Sequence, residues 1–271
     1  MRSKVILITG ASSGIGFDAA QLLARQHHKV YGAARRVELM DSLRESGVIP
    51  MRMDVTDEQS MLDGINAIIE ADGRIDVLVN NAGYGYLGAI ENVPMQEARR
   101  QLEVNLFGLA RLTQLVLPHM REQHSGRIIN TSSVAGKAVV MFGGWYNVSK
   151  FSVEAFSDAL RMEVKPFGID VSIIEPGGIK TDWGLIAADH LEESSRGTVY
   201  EDAGVRTAKM FRYGYTSNLL SSPVRVAKAI SRAVNRRHPK ARYRLGAGSG
   251  LIVLMHAILP ARWWDWLMRR F

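Results

Sequence analysis

The sequence predicts an α/β protein: a doubly wound, mostly parallel sheet in one domain, with a substrate lid and a C-terminal helical tail. Three observations lead there. Short β-branched runs alternate with longer segments of helical period, a glycine-rich turn directly follows the first run, and most runs are apolar throughout rather than at every second residue. Continuous apolar runs are what strands covered on both faces require. Strict β/α alternation calls for crossovers that put helices on both sides of one sheet.

In chain order, a strand over Lys4–Thr9 enters the turn Thr9–Gly16 and a helix over Gly14–His27. Strands over Lys29–Ala34 and Val48–Met53 follow, then a helix over Asp57–Ala71, a strand over Ile75–Asn80 and a helical pattern over Met95–Gln123. A strand over Gly126–Thr131 precedes a helix over Trp145–Phe167, and a strand over Ile169–Glu175 comes before a helix over Pro223–Arg237. A weaker run, Arg242–Leu245, ends the sheet. Between them, Gly177–Ser222 has no clear strand and carries Trp183, Tyr200, Phe211, Tyr213 and Tyr215. Long irregular segments of this kind serve as lids or binding loops. The expected organisation is therefore one domain over residues 1–247, its lid at 177–222, and an amphipathic tail over 248–271.

Composition narrows the function classes. Of 271 residues 46% are hydrophobic and 23% charged, which excludes a disordered or fibrous chain. The absence of cysteine removes disulfides, thiol nucleophiles and thiolate-held metals. It agrees with a reducing cytoplasm, the compartment expected here; no metal is expected either. The net charge of +7 is concentrated between Arg225 and Arg244, and reads as a solvated helix face rather than a nucleic-acid surface. The N-terminal apolar run is too short for a signal peptide. The longest run, Leu251–Leu259, is interrupted by His256 and has about half the length of a bilayer span.

Three motifs carry chemistry. Thr9-Gly10-Ala11-Ser12-Ser13-Gly14-Ile15-Gly16 lies between the first strand and the first helix, where glycines let backbone approach a pyrophosphate and the helix N-terminus favours its charge. Gly10, Ser12, Ser13, Gly14 and Ile15 are the expected contacts. An NAD site would place an acid after the second strand for the ribose 2′-hydroxyl; here stand Arg35 and Arg36, suited to a 2′-phosphate. That points to NADP(H) in preference to NAD(H). Tyr146 and Lys150 lie four residues apart on one helix face, so the ammonium approaches the phenol and favours its ionised form. Tyr146 then becomes a workable proton donor.

With these motifs the chain resembles the short-chain dehydrogenase/reductases, from Lys4 to Leu245, which implies a Rossmann fold. Thr9–Gly16 matches that family's TGxxxGxG, Asn80-Asn81-Ala82-Gly83 its NNAG, and Pro176-Gly177-Gly178-Ile179-Lys180-Thr181 its PGxxxT. Asn105, Ser133, Tyr146 and Lys150 match the catalytic set. The resemblance implies that Ser133 polarises the substrate carbonyl, Tyr146 protonates the developing alkoxide, Lys150 lowers the tyrosine pKa and holds ribose hydroxyls, and Asn105 supports a water in a proton relay. It also implies cofactor contacts at Asp54, Val55, Asn81, Ala82, Gly83, Tyr146, Lys150, Pro176, Gly177, Ile179 and Thr181. For Asp54 a turn or cap role, and for Asn80 and Asn81 a structural one, are equally open.

Val139, Val140, Met141, Phe142 and Trp145 beside the site, with the aromatic lid, suit a hydrophobic ketone, aldehyde or secondary alcohol of steroid, retinoid or lipid type. Substrate contacts are expected at Ser133, Met141, Tyr146 and Trp183. Two alternatives stand beside it: reduction of 3-oxoacyl thioesters, with Arg225–Arg244 receiving an acidic carrier, and a non-enzymatic NADPH-binding regulator, which has no need of the proton donor. A homo-oligomer is expected. The tail, with Trp263, Trp264, Trp266 and Leu267 among Arg262, Arg269 and Arg270, suits protein packing first and peripheral contact with an anionic membrane second.

Overall fold

A computed structural model describes residues 3–217 and 220–270. Seven strands form one parallel sheet: β1 (Val5–Thr9), β2 (Lys29–Ala34), β3 (Val48–Arg52), β4 (Val77–Asn80), β5 (Gly126–Thr131), β6 (Ile169–Pro176) and β7 (Arg242–Leu245). Their order is β3-β2-β1-β4-β5-β6-β7, with every pairing parallel. The order reverses between β1 and β4, and in such sheets ligands bind beyond the strand ends at that reversal.

The apolar runs of the sequence have their expected cause. In β1 all five residues are buried: Ile6 and Ile8 face one layer, Val5 and Leu7 the other. The first layer is closed by α1 (Gly14–Arg25) and α9 (Pro223–Asn235), the second by α3 (Glu58–Asp72), α5 (Leu109–Glu122) and α6 (Gly144–Val164). A short α2 (Asp41–Arg44) supports β3, the edge strand, whose residues are only partly buried.

Three expectations are corrected. The Met95–Gln123 pattern is α4 (Met95–Leu102), a π-helical turn over Glu103–Gly108, and then α5. The 177–222 segment contains two helices, α7 (Trp183–Ser195) and α8 (Glu201–Thr216). The helical stripe there consists of small residues, which a search for bulky apolar positions passes over: Gly184, Ala187, Ala188, Leu191 and Ser195 face inward on α7, Gly204 and Ala208 on α8. A Cβ on Gly204 would lie 2.0 Å from Ser195 Oγ, so the two helices touch almost backbone to backbone.

The third correction concerns the basic stretch. Arg225, Lys228, Arg232, Arg236 and Arg237 are exposed, as a solvated face requires. Arg242 and Arg244 instead turn to buried carboxylates. Arg242 reaches Glu154 at 3.2 Å and Glu175 at 3.1 Å, while Arg244 reaches Glu175 at 2.7 Å. Beyond β7, the tail forms α10 (Ser249–Ile258) and α11 (Ala261–Met268).

Candidate active site

The glycine turn is shaped by close contact. Gly10 has φ +67°, and a Cβ on Gly16 would lie 2.3 Å from the Gly10 carbonyl oxygen, so α1 begins directly against the turn. Asn81 holds this geometry: its Nδ2 donates to the carbonyls of Thr9 (3.2 Å) and Gly10 (3.4 Å). The main-chain N–H groups of Asn81 and Ala82 both donate to Thr9 Oγ1 at 3.0 Å. The structural role left open for Asn81 is therefore the one its side chain performs. Asn80, fully inside, donates to Thr113 Oγ1 and Asn130 Oδ1, both at 3.0 Å. Thr181 lies against Gly14, which brings the Pro176–Thr181 segment to the mouth of the glycine turn.

Other expected contacts ring this cradle. Ser13 is the N-cap of α1 and makes no capping bond with its side chain. Arg35 and Arg36 are exposed just past β2, where the ribose end of a dinucleotide would come. Asp54 Oδ1 accepts from the N–H (3.0 Å) and hydroxyl (2.8 Å) of Thr56, so it forms the turn before α3. Val55 is buried, and its carbonyl packs against Gly108 of the π turn. Gly177 N–H donates to the Leu245 carbonyl at 2.7 Å, and Ile179 is buried.

The catalytic set converges at the ends of β5 and β6. Ser133 Oγ accepts from Ala135 N–H (3.1 Å), donates to the Pro176 carbonyl (3.3 Å) and is hydrogen-bonded to the Tyr146 hydroxyl. Burial pushes the Tyr146 phenol up to about 12, and the bond to Ser133 works against that rise. Lys150, one turn along α6, has its Nζ 5.8 Å from the centre of the Tyr146 ring and donates to the Thr131 carbonyl at 3.0 Å. Burial lowers it to about 8, opposed by the negative charge of Glu154. Asn105 sits in the π turn, a device common at functional sites. Its Nδ2 donates to Tyr84 O (2.9 Å) and Ser149 Oγ (3.0 Å), and its Oδ1 accepts from Tyr84 N–H (3.0 Å). These bonds tie Asn105 to the loop after β4 and to Ser149 on α6.

The lid closes over these groups. Trp183 lies 5.0 Å from the Tyr146 ring, centre to centre, and 6.3 Å from Tyr215, and fills the space that Gly85 leaves open. Tyr146 is consequently only 9% exposed. Phe142 packs into the same cluster with φ +60°, an unusual backbone for an aromatic residue, while Met141 beside it points to solvent. Sequence reading missed two supports. Asn147 Nδ2 donates to the carbonyls of Ala135 (2.7 Å) and Ala138 (3.0 Å), which pins the Ser133–Tyr146 connection onto α6. Glu154, bound by Lys137 at 2.9 Å and by Arg242, places buried charge one turn beyond Lys150. Only the position of Asn147 within α6, next to the tyrosine, hinted at the first.

The residues fit a dinucleotide: the glycine turn presents backbone where any Cβ would intrude, with a helix N-terminus behind it and two free-facing arginines at the far end. Comparison with known proteins agrees. The short chain dehydrogenase model matches residues 4–188. A 3-ketodihydrosphingosine reductase of Bacteroides thetaiotaomicron is 37% identical, over 91% of this chain and 89% of its own. A short-chain dehydrogenase from Streptomyces avermitilis superposes with a TM-score of 0.81 at 33% identity, over 94% of this chain and 93% of its own. Solved neighbours hold either nucleotide: one from Burkholderia phymatum holds NAD (26% identity over 89% of this chain and 88% of its own, TM-score 0.77), and an actinorhodin polyketide ketoreductase holds NADPH (31% over 92% and 97%, TM-score 0.75). Fold, convergent Ser–Tyr–Lys group and relatives lead to one conclusion: the chain belongs to the short-chain dehydrogenase/reductase family of oxidoreductases.

Proposed function

We propose that the protein interconverts a carbonyl and a secondary or primary alcohol on a hydrophobic substrate, with NADP(H) as the partner nucleotide. The observation that carries this reading is the Ser133–Tyr146–Lys150 group lying under the Trp183 and Tyr215 rings. A polar reacting point beneath an apolar cover selects a substrate with one carbonyl on an apolar body. The Bacteroides relative is named for reduction of 3-ketodihydrosphingosine, a lipid-type ketone, which agrees.

The glycine turn and the α1 N-terminus would hold the pyrophosphate, Arg35 and Arg36 the 2′-phosphate, and Lys150 the ribose beside the nicotinamide. Bound there, the nucleotide supplies or accepts the hydride. The chain's own residues handle the oxygen. Ser133 donates a hydrogen bond to it, and Tyr146 Oη delivers a proton as negative charge develops. The Lys150 ammonium, 5.8 Å from the Tyr146 ring centre, would lower the cost of the phenolate left behind. The lid excludes water, so these charges interact in a medium of low dielectric.

The reading includes a homo-oligomer in the cytoplasm and no nucleic-acid partner. Phe107 on the π turn and Val148 and Phe151 on α6 are exposed, which supports a second copy covering them. A carrier-bound thioester is less well supported, because Arg242 and Arg244 are engaged by Glu154 and Glu175. A panel of steroids, retinoids, lipid ketones, acyl thioesters, aldehydes and sugars, read by consumption of NADPH and of NADH, tests it. Turnover of polar sugars alone, or equal efficiency with both nucleotides, would overturn it.

A further inference from the structure

The tail presents a surface that the reaction does not use. On α10, Leu251, Leu254 and Ile258 recur at i, i+3 and i+7 and are all exposed, Ile258 by 67%. On α11, Trp263 and Trp266 recur at i and i+3, again exposed. Trp264 fixes which side faces out. Its Nε1 donates to the Val139 carbonyl at 3.0 Å, and its ring meets His256 edge-on at 4.9 Å. Of the tail's three tryptophans, Trp264 packs on the chain's own body, as Ser249 does at the start of α10, while the other two remain in solvent.

Charge identifies what covers them. A shallow hollow of about 430 Å³ on α11 is lined by Arg262, Asp265, Trp266, Arg269 and Arg270. The Arg270 guanidinium sits 4.0 Å from the centre of the Trp266 ring. Exposed aliphatics, interfacial tryptophans and flanking arginines on two short helices make an element that lies flat at a lipid surface, rings at headgroup depth and guanidinium groups among phosphates. Neither helix crosses a membrane: among the described residues no helix is long and apolar enough. A second copy fits less well. A two-fold interface pairs a patch with itself, and this patch would set three arginines against their own copies with one aspartate to offset them.

We propose that α10 and α11 dock the enzyme on an anionic lipid surface, Leu251, Leu254, Ile258, Trp263 and Trp266 entering the headgroup layer and Arg262, Arg269 and Arg270 meeting its phosphates. Trp264 couples this face to Val139, in the connection between Ser133 and Tyr146, so the docked surface lies beside the lidded site. The proposal does not depend on which substrate is turned over.

Co-sedimentation of the full-length protein with phosphatidylcholine vesicles, with and without phosphatidylglycerol, tests it. Binding is expected only to the anionic vesicles, reduced by salt. A Leu251→Gln/Leu254→Gln/Trp266→Ser variant, and separately an Arg262→Gln/Arg269→Gln/Arg270→Gln variant, should each lose binding by about tenfold or more. Both should keep wild-type melting temperature and wild-type turnover of a soluble carbonyl substrate. No binding to either vesicle, or binding indifferent to both variants, would overturn it. So would light scattering in which the apolar variant breaks an oligomer into protomers while vesicles bind nothing; the face would then belong to a second copy.

Discussion

Below the lid, polar side chains are tied to main chain: Lys150 to Thr131, Asn105 to Tyr84, Asn147 to Ala135 and Ala138, Asn81 to Thr9 and Gly10. The lid itself is bound chiefly to itself. Arg212 on α8 reaches Asp189 at 2.7 Å and Glu192 at 2.5 Å on α7, and the small-residue stripe keeps the two helices together. Its contacts with the floor are mainly rings on rings and aliphatics on aliphatics: Trp183 on Tyr146, Tyr200 on Phe142 and Leu191 beside Leu87. A few side-chain hydrogen bonds join them, such as Ser194 Oγ to the Leu87 carbonyl (3.4 Å) and Asn92 Nδ2 to Thr198 Oγ1 (3.1 Å). Hydrogen bonds are directional and hold atoms in one place, whereas apolar contacts tolerate sliding. On the proposed reading the floor fixes the chemistry, and the lid is the part in which substrates are told apart.

The severest test of that division is at the floor. Tyr146→Phe removes one oxygen from a packed ring. Turnover should fall by about 100- to 10,000-fold, the range for a lost general acid. Nucleotide binding and the melting temperature should stay near wild type. Retained turnover would move the proton donor elsewhere.

Lys150 separates function from stability. Its folded pKa, about 8, lies below its ordinary 10.5, so folding is penalised wherever the unfolded chain still holds the proton more tightly. The penalty is full below pH 8 and fades as pH rises from 8 to 10.5. Lys150→Met should therefore lose activity yet gain about 1–3 kcal/mol near pH 7, less whatever the lost bond to Thr131 costs. The gain should shrink to nothing above pH 10.5, which chemical denaturation at several pH values measures. A variant less stable than wild type at pH 7 would mean that the bond to Thr131 outweighs the desolvation of the charge.

Arg35 lies on the floor's rim. Arg35→Ala should lower the preference for NADPH over NADH by about 10- to 150-fold in kcat/KM, the value of one charge-assisted contact of about 1.5–3 kcal/mol. Unchanged selectivity would pass the 2′-phosphate to Arg36 or deny the preference altogether.

Much of the floor was legible in the sequence because its signals are local. β2, β5 and β7 have the limits the sequence predicts, Tyr146 and Lys150 share a face of α6 as their spacing implies, and Ser133, just after β5, joins them as the family resemblance implied. Long-range pairings left no local trace. Arg242 meets Glu154 across 88 residues of sequence, and no periodicity marks that contact. Asn105 matched a motif, yet its partner Tyr84 follows from the π turn, which apolar period does not encode. The lid was misread for another reason: its helices pack through Gly184, Ala187 and Gly204, residues chosen for their lack of bulk. The tail's aromatic content was plain, but which tryptophan turns inward depends on the Val139 carbonyl, far along the chain.

Trp183 joins the two regions, and changing it gives the smallest and most discriminating effect. Its ring rests on Tyr146 and Tyr215 and covers Gly85. An aromatic pair of this kind contributes about 0.5–1.5 kcal/mol beyond the area it buries. If the ring selects substrates, Trp183→Ala should raise KM for bulky hydrophobic carbonyls by about tenfold, equivalent to about 1.4 kcal/mol, and leave small aldehydes nearly unchanged. kcat should hold, because Ser133 and Lys150 keep their own main-chain anchors and Tyr146 its bond to Ser133. Trp183→Phe should restore most of the lost affinity. If the ring merely fills the lid's core, the melting temperature will drop and large and small substrates will suffer alike. A KM that moves with substrate size, over an unmoved kcat, would place selection in the lid and catalysis in the floor.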